Sequence, residues 1–174
     1  MIKLLLLAAL VLPACHQPET PTPTGANTLS CQVNGQDFSP YLDPILLTPR
    51  QALQASRDGR GRFALTARTS EQEVAFVLVG VHGPGTYFLQ SGAPYWQAPS
   101  RSYASRSLTA RQLPSGATQP ERIAYTDSAA GGTVTLVRYD TLANVAGGTF
   151  QYTAREKATG KLFSVTGGKF DVKL

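Results

Sequence analysis

The 174-residue chain is 42% hydrophobic and 16% charged, with 16 Gly, 12 Pro, two Cys and two His. Against the ~25% charged residues of ordinary soluble domains, this shortage, made up by Thr, Ser, Gly and Pro, argues for short strands and turns and against a salt-bridged helical bundle. The length leaves room for one compact domain of ~100 to 150 residues with a short appendage, and so few Cys and His exclude a disulfide framework or a metal cluster built on them.

Residues 1–14 carry one early cation, Lys3, and an apolar run over residues 4–12. That run is shorter than the ~20 residues a bilayer span needs, so the segment reads as a signal peptide, removed rather than folded. It ends Leu12-Pro13-Ala14-Cys15, which resembles a bacterial lipobox: an aliphatic residue at minus three, a small one at minus one, then the cysteine. The resemblance implies a diacylglyceryl thioether and an acylated amine on Cys15, several chains of roughly 0.8 kcal/mol per buried CH2 being durable where one is marginal. The alternative is an ordinary secretory signal with a cysteine beside its cleavage site. Residues 16–27, HQPETPTPTGAN, have almost nothing apolar to bury. Residues 15–27 are therefore expected to be a lipidated Cys and a Pro/Thr-rich extended tether, followed by a single domain over residues 28–174.

From Thr28 the pattern is period two. Leu29, Cys31 and Val33 alternate with Ser30 and Gln32, which makes Cys31 a buried small hydrophobe on a strand. Were Cys15 not lipidated, a bridge between Cys15 and Cys31 would be the main alternative. The one helical candidate is residues 43–56, with Ile45, Leu46 and Leu53 at loose helical spacing and Pro44 and Pro49 limiting it to a turn or two. Phe63, Leu65 and Ala67 form the next alternating set, and residues 74–81 are apolar on both faces, as in a central strand covered on each side. Phe150, Tyr152 and Ala154, then Phe170, Val172 and Leu174, repeat the alternation near the end. Turn pairs such as Asn34-Gly35, Asp58-Gly59 and Thr159-Gly160 punctuate these runs. Three near-copies, Gly131-Gly132-Thr133-Val134, Gly147-Gly148-Thr149-Phe150 and Gly167-Gly168-Lys169-Phe170, suit bulges or tight bends at the starts of successive hairpin strands. The expected fold is all-β, an antiparallel sandwich or meander of roughly 8 to 10 short strands with at most one short helix.

Losing residues 1–14 leaves 15 basic side chains against 11 acidic ones, a net +4. The 11 arginines are scattered, with no basic run of the kind that marks nucleic-acid binding. His82, the one histidine of the domain, sits in the turn phrase Val81-His82-Gly83-Pro84-Gly85, and neither G-x-S-x-G nor any metal-ligand spacing occurs. No catalytic residue, metal ligand or cofactor is therefore assigned. Glu71, Glu73, Glu121, Asp127, Asp140 and Glu156 single out no acid and base pair, and Glu71 with Glu73 reads as a charged guard at a strand edge. Between residues 90 and 120 lie Tyr95, Trp96, Arg101, Tyr103, Arg106 and Arg111 among Ser, Gly, Pro and Ala. Aromatic faces beside guanidinium forks can stack on and hydrogen-bond a sugar or peptide; the bland alternative is that Tyr95 and Trp96 pin a long connection while the arginines are solvated.

The lipobox cysteine, the opening Asn27-Thr28-Leu29-Ser30-Cys31-Gln32-Val33-Asn34-Gly35, the middle Gly85-Thr86-Tyr87-Phe88-Leu89 and the closing Gly148-Thr149-Phe150-Gln151-Tyr152-Thr153-Ala154 and Thr166-Gly167-Gly168-Lys169-Phe170-Asp171-Val172 together resemble small lipoproteins of Bacteroidota that carry a domain of unknown function. The resemblance implies an all-β lipoprotein domain of the cell envelope, with no catalytic residue or cofactor to carry over. It also bears on location. His16, not Asp, follows Cys15, which favours the outer membrane, and Glu19 alone is acidic nearby, which favours the periplasmic face over the cell surface. Ser128 in Asp127-Ser128-Ala129 and Thr141 in Asp140-Thr141-Leu142 resemble O-glycosylation sites of this phylum, with Asx turns as the alternative. The expected function is a structural or binding accessory anchored to the membrane by lipid. A glycan- or peptide-binding module using residues 95–111 is the second reading, and a cryptic hydrolase the third.

Overall fold

The computed structural model describes residues 22–41, 51–90, 101–108, 111–112, 118–119 and 121–174. Among them there is no helix. The strands are β1 (Thr28–Val33), β2 (Gln36–Phe38), β3 (Leu53–Arg57), β4 (Phe63–Arg68), β5 (Gln72–Leu78), β6 (Gly85–Leu89), β7 (Tyr103–Leu108), β8 (Arg111–Gln112), β9 (Thr118–Gln119), β10 (Arg122–Tyr125), β11 (Gly132–Asp140), β12 (Val145–Glu156) and β13 (Leu162–Lys173). Eleven form one antiparallel sheet, nine of them in the order β2-β1-β13-β12-β10-β7-β5-β4-β3, while β8 and β9 pair with each other. The sheet forks at β12: residues 145–152 pair with β11, which carries β6, and residues 155–156 pair with β10.

Alternation decides which way each strand faces. β1 and β4 bury every second residue, and Phe63, Leu65, Phe76, Phe150, Phe170 and Val172 point into one core. Phe63 stacks on Phe170 at 6.1 Å between ring centroids, and Phe76 meets Phe150 at 5.5 Å. These rings come from strands far apart in the sheet order, so the sheet curls until β4 and β5 face β12 and β13, an all-β fold whose two layers are one continuous ribbon. Cys31 lies in this core as a free thiol, 5% exposed, and burial pushes its pKa up to about 12.

Three expectations are corrected. Residues 53–56 of the helical candidate belong to the edge strand β3, and its residues 43–50 lie outside the described residues. β5 is flanked by β4 and β7, so Glu73 guards no edge; it accepts a hydrogen bond from Arg68 Nε at 2.7 Å. Gly131-Gly132 does stand at the start of β11, but the other two glycine pairs fall inside the 12-residue strands β12 and β13. There they sit at register shifts, where a Cβ on Gly148 would run into Thr135 O and one on Gly168 would stand 2.5 Å from Phe150 O.

Residues 22–27 do not hang free as a tether. Pro23 and Gly25 are buried, and Asp171 accepts from Thr24 N at 2.8 Å, Thr24 Oγ1 at 3.0 Å and Gly25 N at 2.5 Å. Pro23 occupies the space that a Cβ on Gly147 would need, and its carbonyl accepts from Arg138 Nη1 at 2.8 Å. Composition marked the whole stretch as extended; Asp171 and Arg138, far away in sequence, clasp its last six residues to the ends of β11, β12 and β13.

Candidate functional site

Tyr87 and Phe88 are adjacent in β6, and a strand cannot turn two neighbours the same way. Tyr87 goes inward, its hydroxyl donating to Gly83 O at 2.7 Å, and Leu89 is fully buried. Phe88 is left facing out, 64% exposed. Just beyond it Gln90 N donates to Ser102 O at 3.2 Å, joining the chain that leaves β6 to the chain that starts β7, and Ser102 Oγ accepts from Val79 N at 3.0 Å. Phe88, Gln90, Arg101, Ser102 and Ser128 line a depression of about 320 Å³. A ring face, a guanidinium, an amide and two hydroxyls stand together there. Such a set can stack on and hydrogen-bond a hydroxylated ligand, and these five residues bring no carboxylate or imidazole to move a proton.

The residues singled out from sequence divide. Arg101, exposed, and Ser128, exposed, both reach the depression. Tyr95 and Trp96, the side chain of Arg111, and Cys15 lie outside the described residues. Tyr103 and Arg106 do not line the depression, each being only 8% exposed. Tyr103 sets its ring edgewise against Tyr125 at 6.2 Å. Arg106 opposes Val74 across the ladder and shares the inward face of β7 with Ala104. Its guanidinium lies 4.6 Å over the Phe163 ring, Nη2 donates to Gln72 Oε1 at 3.0 Å, and Nε is buried without a partner. Burial is the main cause that lowers its pKa. Phe88, Gln90 and Ser102 were not picked out in advance, although the Tyr87-Phe88 doublet in a predicted strand already requires one ring outside.

Ser128 and Thr141 sit in matching turns. Asp127 Oδ1 accepts from Ala129 N at 2.8 Å and Ala130 N at 2.5 Å, while its Oδ2 takes Arg155 Nε at 3.1 Å. Asp140 Oδ1 accepts from Leu142 N and Ala143 N, and its Oδ2 takes Arg138 Nη2 at 2.9 Å. Both acids therefore form Asx turns that leave the hydroxyl between them exposed. Glu156, 4% exposed, is gripped by the Arg122 guanidinium and the Thr159 hydroxyl, which hold its carboxyl down at about 2. His82 is exposed in its turn, and among the described residues no three His, Cys, Asp or Glu side chains are grouped to hold a metal ion. No protein-family model matches the chain, and no curated protein or solved structure matches it either.

Proposed function

We propose that the chain is a lipid-anchored protein of the bacterial cell envelope, held through Cys15 at the periplasmic face of the outer membrane. Its β domain serves as a binding accessory without catalysis and takes a glycan at the depression beside Phe88 and Arg101. Phe88 carries the ligand reading: it is a ring 64% exposed beside a guanidinium, an amide and two hydroxyls. A sugar offers a C–H face to the ring and hydroxyls to the polar rim, and Arg101 adds a planar fork of donors. The acids support a role other than proton transfer, since Glu73, Asp127, Asp140 and Glu156 each face an arginine. The anchor is supported by the Leu12-Pro13-Ala14-Cys15 phrase and by Cys31, whose free, buried thiol speaks against a bridge to Cys15.

Co-sedimentation with purified peptidoglycan sacculi tests the ligand. The wild type is expected in the pellet, with Phe88→Ala and Arg101→Ala each weakening binding about tenfold, which corresponds to about 1.4 kcal/mol. Retention unchanged in both variants would remove the depression as the site. Labelling with a fatty acid tests the anchor: wild type incorporates it and Cys15→Ala does not.

A further inference from the structure

The clasp at residues 22–27 and the most exposed large hydrophobic side chain of the described residues lie at the same end of the molecule. Arg138 ties them together, donating through Nη1 to Pro23 O and through Nη2 to Asp140, the residue that caps the turn of residues 141–144. At the tip of that turn Leu142 is 96% exposed. Arg57 at the end of β3 reaches the same turn, with Nη2 3.4 Å from Thr141 O and 3.5 Å from Asn144 Oδ1. Arg57, Lys173 opposite Val145, and Arg60 three residues beyond Arg57 are exposed. The acids of this end are committed inward: Asp58 to the amides of Arg60 and Arg62, Asp140 to its turn, and Asp171 to the clasp.

We propose that this end is a bilayer-facing surface, with Leu142 set at the headgroup boundary and Arg57, Arg60 and Lys173 on anionic headgroups. An apolar tip ringed by cations complements a surface that is anionic outside and apolar beneath. The inference rests on the reading that Cys15 carries the lipid. From Cys15 to Thr22 the chain spans at most ~25 Å, at ~3.6 Å per residue. That is shorter than the ~39 Å across a compact domain whose radius of gyration is ~15 Å, so a clasped segment holds its own end of the domain nearest the membrane.

The test uses the full lipidated chain in vesicles of phosphatidylethanolamine and phosphatidylglycerol containing nitroxide-labelled lipid. A fluorophore is placed on Leu142→Cys or, at the opposite end, on Ala158→Cys; Cys31, being buried, does not compete. Quenching is expected to be several-fold stronger at residue 142 than at residue 158. The difference should shrink in an Arg57→Ala, Arg60→Ala double variant. Vesicle flotation with equal quenching at the two places, or stronger quenching at residue 158, overturns this surface while leaving the anchor intact. Wild type that fails to float overturns the anchor, and this surface with it.

Discussion

Arg106 and Glu156 are both charged and both buried, yet they are held in opposite ways. Glu156 has a guanidinium and a hydroxyl on its oxygens, so its carboxyl in the folded protein titrates near 2 rather than at the ordinary 4.5. A folded pKa below the unfolded one contributes stability that is fully present above about pH 4.5 and is lost as pH falls toward 2. The urea midpoint of Glu156→Gln is therefore expected to lose less than that of wild type between those limits, and parallel curves would show that the pair is not coupled to folding. Arg106 has one neutral acceptor and an orphaned Nε. A buried donor without a partner costs ~1 to 3 kcal/mol, so Arg106→Met, which keeps the contact with Phe163, is expected to leave stability unchanged or raise it by about 1 kcal/mol. A loss of about 3 kcal/mol in urea denaturation would mean that the guanidinium does more than pack. Cys31 was legible because its neighbours alternate cleanly. Arg106 was not, because Ala104, Ser105 and Ser107 around it give the strand no visible inner face.

The elements whose alternation is strong, residues 63–68, 149–154 and 169–174, were readable as strands from sequence. β3 was not: at the sheet edge Leu53 and Ala55 are only half-buried, so the period-two signal fades and the leucine spacing mimics a helix. The glycine pairs were read as strand starts because a turn and a bulge ask for the same residue, and only the partner strand tells them apart. Gly148 is the sharpest case, since its missing Cβ makes room for the backbone of β11. Gly148→Ala is expected to cost about 3 kcal/mol by forcing β11 and β12 apart. Gly35→Ala, in open space with φ at 78° within the Asn34-Gly35 turn, should cost only about 1 kcal/mol. Denaturation midpoints of the two variants check the order; equal losses would mean that backbone conformation outweighs the close approach at residue 148.

For the molecule as a whole, the domain begins earlier than composition suggests. Three hydrogen bonds to Asp171, one to Arg138 and a buried proline bind residues 22–27 to the strands. A chain starting at residue 28 is expected to be less stable than one starting at residue 22 by about 2 kcal/mol, read as a lower midpoint in thermal or urea unfolding. Identical midpoints would return those residues to the tether. The all-β class followed from turn spacing and alternation. The curl of the sheet, its fork and the clasp did not, because each depends on contacts between residues distant in the chain, which one sequence leaves unmarked. The place of β13 has a consequence for how the chain is made. It stands between β1, among the earliest residues of the domain, and β12, yet it follows every other strand in chain order. Until it has been made, β1 has only the short β2 beside it, and Phe63 and Phe76 lack the Phe170 ring they pack against. The core therefore closes only once β13 has been made, and a chain that stops short of it leaves apolar surface and an unpaired strand edge exposed, the state in which partly folded chains aggregate.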